Sequence, residues 1–383
     1  MKTQTEREAL AVTAGGMIAL AVALGIGRFA FTPLLPMMLR QHELTLEQGS
    51  WLASANYLGY FLGALSVVWI EAAPKTMIRA GLALTAVLTF GMGVTHSLPF
   101  WLLLRGLSGI ASAWILVYAS AWGLRRLTEL QCPAWGGALF SGVGMGILLT
   151  GLLCLGFAEY RVSSAEAWRL LGGGALALSL CVWNVWGESD AAPQAAAQAE
   201  TIKLRWDRAT VILALCYGLF GFGYIIPATF LPVIARQTVH SALVTSLFWP
   251  LLGAAALLST LTASALARKT EDRLILAVSY LMQALGVGAL VVPPTLAGLT
   301  VSALLVGGTF MVMTMFGLRE ARRLGGEQTG KLMGVMTAAF AVGQIVGPLY
   351  AGVLVRLSGS FSSSLLTAAI LLASGAALLW RNK

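Results

Sequence analysis

The 383 residues are 58% apolar and 11% charged, with a mean hydropathy of +0.81. Soluble domains carry about 25% charge, so a soluble enzyme is excluded and the chain reads as a polytopic membrane protein. The net charge of +9 could suggest nucleic acid, but Lys and Arg beside apolar spans act as topology signals, and no nucleic-acid partner is expected.

At roughly 32 residues per span and connection, the length has room for about twelve helices. Lys2 and Arg7 precede an apolar run that continues past Gly27 to Leu39, too long for an ordinary cleaved leader. Apolar runs predict spans near 10–39, 48–70, 77–96, 98–124, 134–158 and 167–187. A polar Ala/Gln-rich stretch at 188–206 reads as a linker. Six further spans follow near 208–235, 241–267, 273–293, 296–318, 329–355 and 361–380. The expected organisation is all-α: a six-helix half at 1–187, the linker, and a second six-helix half at 207–383. With both termini cytoplasmic, eighteen of the 25 Lys and Arg face the cytoplasm and five face outside, leaving Arg28 and Arg105 inside spans. Cys132 sits in a loop, and Cys154, Cys181 and Cys216 lie in apolar runs. They form no disulfide or zinc framework, and no metal or cofactor is expected.

The halves echo each other. GIGRFAFTPLLPMMLRQ from Gly25 corresponds to GFGYIIPATFLPVIARQ from Gly221; GVGMGILLTG from Gly142 matches GQIVGPLYAG from Gly343 in its glycines; RRL recurs at Arg125 and Arg322. Three echoes in one order at nearly one offset indicate parallel six-span repeats. These halves, the linker and the Gly-rich fifth and eleventh spans resemble the major facilitator superfamily of secondary transporters, and GIGRFAFTPLLPMM is similar to the signature of its YbfB/YjiJ-like branch. LLLRGLSGIASA around Arg105 resembles the superfamily's fourth-span motif, and Gly334 to Gly352, with Gly343, Gly347 and Pro348, resembles its Gly-Pro exporter motif. The exporter motif departs from the pattern, because it stands in the eleventh span while Ile147 replaces the proline in the fifth. Glu71, Pro74 and Lys75 are a degraded form of the basic loop motif.

The acidic residues fall in loops or at span ends, and His42, His96 and His240 sit at outer ends. No zinc pair, metal-phosphate cluster or nucleophilic triad is available at bilayer depth, so catalysis is not expected. Arg28 and Arg105 each cost about 2.5–3.5 kcal/mol at a helix centre. An anion site would return that energy, since guanidinium matches carboxylate or phosphate as a bidentate fork; bonding to carbonyls of a broken helix, or snorkelling, is the structural alternative. The resembled fold implies that spans one, four, seven and ten line a central cavity. Helical spacing then groups Arg28 with Phe31, Thr32 and Leu35, Arg105 with Ser108 and Ser112, Tyr224 with Tyr217 and Phe220, and Ser302 with Thr309 and Met313. Asn56 and Tyr60 share a face of the second span, Gln344 and Thr337 a face of the eleventh. The candidate substrate contacts are Arg28, Arg105, Tyr224, Tyr217, Asn56, Tyr60, Thr32, Ser108, Ser112, Thr309 and Gln344; Gly142, Gly146, Gly343, Gly347 and Pro348 read as packing and gating positions. Arg40 and Arg236 offset helix dipoles at outward C-termini, and Trp51, Trp101 and Trp249 read as interfacial anchors.

The sequence therefore predicts a monomeric alternating-access transporter in a bacterial cytoplasmic membrane, with the bilayer and a small organic solute as its partners. Two cations facing an aromatic wall suit an organic anion with an apolar body, moved by export or exchange. The alternative is a proton-coupled exporter of apolar drugs, supported by the Gly-Pro motif and weakened by the missing buried acids. A non-transporting sensor usually carries an added soluble domain, for which the short termini leave no room.

Overall fold

The computed structural model describes residues 4–67, 69–70, 72–186, 207–239, 241–266, 271–292, 295–325 and 329–381; the expected linker and Glu71 lie outside them. Among the described residues the regular structure is entirely helical. Helix α1 (Gln4–Leu20) runs through a π-helical stretch, Ala21–Phe29, into α2 (Phe31–Arg40). There follow α3 (Leu46–Ser66), α4 (Pro74–Met92), α5 (Leu98–Glu129), α6 (Gly136–Phe140), α7 (Gly142–Glu159) and α8 (Ser164–Cys181). The C-terminal elements are α9 (Arg208–Thr238), α10 (Ala242–Leu266), α11 (Asp272–Gly288), α12 (Leu296–Gly325), α13 (Thr329–Ser358) and α14 (Ser362–Arg381). Eight helical stretches among the described residues are long and apolar enough to cross a membrane: 4–40, 98–129, 136–159, 208–237, 243–262, 296–325, 331–358 and 362–381.

The helix starts follow local chemistry. Thr45 and Gln48 form a reciprocal capping box at α3, Ser163 and Glu166 another at α8, and the Asp207 carboxylate accepts from the Thr210 N–H at 2.8 Å to start α9. Pro74 stands at the first position of α4, where its missing N–H costs nothing. That start displaces the predicted 77–96 span toward the N-terminus, and the helix ends at Met92. The predicted 134–158 span is likewise divided at Ser141 into α6 and α7.

The stretch 21–29 packs on α7, α3 and α4 pack on α5, and α4 also packs on α8. In the C-terminal part α9 packs on α13 and α14, α11 on α12 and α14, and α10 on α12. Two seams, α7 on α10 and α3 on α13, join the two parts. A Cβ on Gly25 would collide with the Gly146 backbone, and one on Gly343 with the Gly218 carbonyl. The repeated glycines thus mark the same device twice, a close backbone crossing of the 21–29 stretch with α7 and of α9 with α13. Leu103, Leu176, Leu258 and Ile370 are exposed on the perimeter, as lipid-facing helices require.

Two of the three anchoring tryptophans are corrected by the packing. Trp51 is exposed, but Trp101 and Trp249 are buried. Trp101 donates its indole N–H to the Met92 carbonyl at 3.0 Å, and Trp249 packs on Phe29 with ring centroids 6.2 Å apart. A span-end tryptophan gives the same sequence signal whether its ring meets lipid or a neighbouring helix.

Arg126 at the end of α5 pairs with Glu8 of α1 at 3.1 Å, which defines one face of the molecule, termed basal. On the opposite, distal face Arg356 pairs with Glu47 at 3.3 Å and Arg236 donates to the Pro36 carbonyl at 3.4 Å. The basal arginines stay within their own part of the chain: Arg126 also reaches Glu129, Arg319 pairs with Asp272, and Arg323 with Glu320.

Candidate functional site

The π-helical stretch is the site's organising feature. A π-helix bonds each N–H to the carbonyl five residues back and leaves a local mismatch that side chains must satisfy. Pro33, just beyond it, has no N–H to return to the preceding turn. Carbonyls of this stretch are met by α5: Ser112 Oγ donates to Ala23 at 2.7 Å, Ser108 Oγ to Gly27 at 2.9 Å, and Arg105 donates Nη1 to Gly27 at 3.0 Å and Nη2 to Arg28, the carbonyl five residues before Pro33, at 3.1 Å. Asn56 of α3 donates Nδ2 to the Arg105 carbonyl at 2.9 Å. Three predicted contacts, Arg105, Ser108 and Ser112, therefore hold the broken helix in shape, as does Asn56 at one remove.

Arg28 projects from this held stretch into different surroundings. It is 4% exposed, and its Nε and Nη2 have no protein hydrogen-bond partner. Its guanidinium carbon lies 4.4 Å from the Tyr60 ring centroid, 4.9 Å from Tyr57 and 5.2 Å from Phe29. No carboxylate pairs with it among the described residues. Helical spacing had put Arg28 on a face with Phe31, Thr32 and Leu35; the π-helical register redirects it toward the α3 tyrosines, while Phe31 lies under Arg105, 5.0 Å from its guanidinium.

From Phe29 an aromatic series crosses to the C-terminal helices. Phe29 meets Phe310 at 6.4 Å, Phe310 stacks on Tyr224 at 5.8 Å with the planes 1° apart, and Tyr224 stacks on Phe340 at 5.7 Å and 10°. Phe340 also contacts Tyr217 at 5.2 Å and Phe220 at 5.1 Å. Tyr224 and Gln344 are hydrogen-bonded, leaving Gln344 Oε1 unpartnered. Thr309 bonds Gln283 and the Leu305 carbonyl, so its hydroxyl is engaged inside the C-terminal part. Asn56 Oδ1, Gln283 Nε2 and Ser302 Oγ are further buried atoms without protein partners.

The distal roof of this site is closed. Thr32 donates to the Ala228 carbonyl at 2.8 Å, an acceptor that Pro232 one turn on cannot serve. Tyr57 and Thr229 share a hydrogen bond of 3.1 Å, and Ser54 donates to the Ile345 carbonyl at 2.8 Å. With Arg236 to Pro36 and Arg356 to Glu47, these bonds join the N- and C-terminal parts at the level of the site or beyond it distally. Gly142 and Gly146 lie against the first helix and Gly343 and Gly347 against α9, with Pro348 inside α13, so the predicted packing glycines sit on helix crossings.

The sequence reading missed Tyr57, Phe310 and Phe340, whose aromaticity in apolar spans carries no positional signal. It did not see the burial of Glu320. Counted among span-end acids, Glu320 is 1% exposed in α12, and both its oxygens accept from Arg323, at 2.8 and 2.7 Å.

Residues 20–380 match the family described as uncharacterised MFS-type transporter YbfB. No curated protein sequence matches. Among solved structures the chain is similar to a crystal structure of a point mutant of the nucleoside transporter NupG, with 14% identity, a TM-score of 0.73, and coverage of 97% of this chain and 100% of that one; at that identity the likeness shows the fold alone.

Proposed function

The chain belongs to the family of MFS-type transporters described under YbfB, and from that premise we propose that it moves a small organic anion by alternating access, through export or exchange. The proposed architecture is twelve spans in two six-helix halves, 1–187 and 207–383, joined at 188–206, with both termini in the cytoplasm of a bacterial cell. The basal face is then cytoplasmic. Bonds between the halves on the distal side, with the ion pairs of Arg126, Arg319 and Arg323 each made within one half, fit a conformation closed to the outside.

One observation carries the choice of anion: the Arg28 guanidinium is buried, fixed in charge, and has unpartnered donors. An uncompensated buried charge is costly, and Arg28 lies between helices of both halves, where a carboxylate or phosphate could compensate it as a two-point partner. Tyr60, Tyr57 and Phe29 stabilise the cation by their ring faces without neutralising it. The stack of Phe310, Tyr224 and Phe340 offers an apolar wall for the body of the solute. Tyr217, Thr309 and the amide of Gln344 belong to its far side, and Arg105, Ser108, Ser112 and Asn56 position Arg28 through the backbone. A negative-inside potential favours anion exit by about 2.3 kcal/mol per charge per 100 mV, so outward movement needs no buried proton carrier.

The test is thermal stabilisation of the purified protein across organic anions, cations and neutral solutes, with Arg28→Gln in parallel, because a native-state ligand raises stability by mass action. A carboxylate or phosphate should raise Tm in the native chain and not in the variant. Stabilisation by cations or neutral drugs alone, equal in both proteins, would overturn the anion reading in favour of a drug exporter.

A further inference from the structure

On the distal face a cavity of about 520 Å³ opens between the ends of α2 and α9. Leu39, Val233 and Val239 give it apolar walls, and Arg40, Arg236 and Gln237 are its long polar side chains. The two arginines are repeat counterparts, one from each part of the chain. Each stands in the last turn of its helix, so part of its charge offsets the C-terminal dipole, worth about half a negative charge per helix. Two guanidiniums against two such ends leave the cavity about one unit positive. Among the described residues no carboxylate lines it. Of the acids at this face, Glu43 accepts from Ser164 Oγ at 2.6 Å and lies 3.9 Å from His96, Glu47 pairs with Arg356, and Glu159 is exposed at the end of α7. Arg40 is exposed, and Arg236 is part-buried and bonded to the Pro36 carbonyl, which fixes it at the base of the cavity.

Beneath it, Arg236 also borders a void of about 10 Å³ walled by Pro33, Pro36, Pro232 and Trp249, room for about one water molecule. Trp249 in turn touches Phe29, whose ring lies beside Arg28. The wide cavity and the central arginine are thus linked by successive contacts through Arg236, Trp249 and Phe29.

We propose that this cavity is a second anion site, at the distal mouth of the path, which takes a carboxylate or phosphate-type monoanion between Arg40 and Arg236. A free solute and an anionic lipid headgroup share that chemistry. The site stands on its own residues and does not depend on the assignment of Arg28.

The test is the rate of phenylglyoxal modification at each arginine, read by mass spectrometry on the full chain in phosphatidylcholine nanodiscs. Saturating benzoate or inorganic phosphate should slow adduct formation at Arg40 at least about threefold, as occupancy under mass action requires, while choline chloride at equal ionic strength should not. Arg356, also exposed on the distal face, is the reference. Slowing by the free anions identifies a solute site. Slowing by phosphatidylglycerol in the nanodisc, without effect of the free anions, identifies a headgroup site of the same chemistry. Slowing by neither, or equal slowing at Arg356, overturns the proposal. Arg236→Gln should abolish the protection of Arg40. Arg28→Gln should preserve it, and loss of protection in that variant would mean that Arg40 reports on the central site, which overturns a second one.

Discussion

Arg28 and Arg105 are both buried arginines in the same region, yet replacing each by methionine should change stability in opposite directions. Methionine keeps the unbranched stem and packs well on aromatic rings, so the comparison isolates the guanidinium. For Arg28, substitution removes a charge that costs about 2.5–3.5 kcal/mol at bilayer depth, together with two donors that find no protein partner. The three rings at 4.4, 4.9 and 5.2 Å return part of that, about 1–2 kcal/mol given their overlapping positions around one carbon. Arg28→Met should therefore stabilise the ligand-free protein by about 1–3 kcal/mol.

For Arg105 the same desolvation is avoided, but two hydrogen bonds from a charged donor to the Gly27 and Arg28 carbonyls are lost, each worth about 1.5–3 kcal/mol. Ser108 still serves Gly27, whereas the Arg28 carbonyl loses its side-chain donor at a further cost of about 1–3 kcal/mol. The balance is a destabilisation centred on about 3 kcal/mol, within about 0.5–6.5 kcal/mol. Thermal unfolding of both variants in detergent, followed by tryptophan fluorescence with chloride as the sole small anion, should show Tm rising by a few degrees for Arg28→Met and falling for Arg105→Met. If both fall, Arg28 is a strut like its neighbour and the argument from its unpartnered donors is refuted.

Two further outcomes concern the distal closure. Thr32→Val should cost about 1 kcal/mol in the native chain and almost nothing in a Pro232→Ala background, where the restored N–H at position 232 can serve the Ala228 carbonyl; equal costs in a thermal double-mutant cycle would show that Pro232 does not create the acceptor. The exposed Arg356–Glu47 pair is worth about 0.5–1 kcal/mol, so the double substitution Glu47→Gln and Arg356→Gln should raise labelling of Ser54→Cys by a membrane-impermeant maleimide about 2–5-fold, measured in a cysteine-free background. An unchanged rate would mean that the pair does not hold the distal side shut.

The helical class, eight of the predicted spans, the glycine echo and the two buried arginines were legible because each is written in composition or spacing. Gly25 and Gly146, Gly343 and Gly221 appeared as an echo in the letters, and the structure gives that echo its meaning as two equivalent backbone crossings. The faces were less legible. Spacing of three and four residues presumes an α-helical register, and the π-helical stretch Ala21–Phe29 shifts everything around Arg28. Pro33 and Pro36 signalled a break near that place but not its hand or extent. The partners of Arg28 come from α3 and those of Tyr224 from α12 and α13, and no single-chain pattern links helices so distant in sequence.

The two arginines also show why a charge at bilayer depth does not by itself announce a ligand. The insertion cost is the same for both, so cost cannot separate them; the fate of the donors can. Arg105 has both terminal nitrogens on the Gly27 and Arg28 carbonyls, with only its Nε lacking a protein partner, whereas Arg28 has two such nitrogens. Those bonds occupy the Gly27 and Arg28 carbonyls, and Arg28 keeps the Tyr57, Tyr60 and Phe29 rings and two nitrogens without protein partners. The form of the first helix and the placing of Arg28 are therefore one construction: Arg105, Ser108 and Ser112 hold the Ala23, Gly27 and Arg28 carbonyls, and with them the backbone from which the Arg28 guanidinium reaches the Tyr57 and Tyr60 rings.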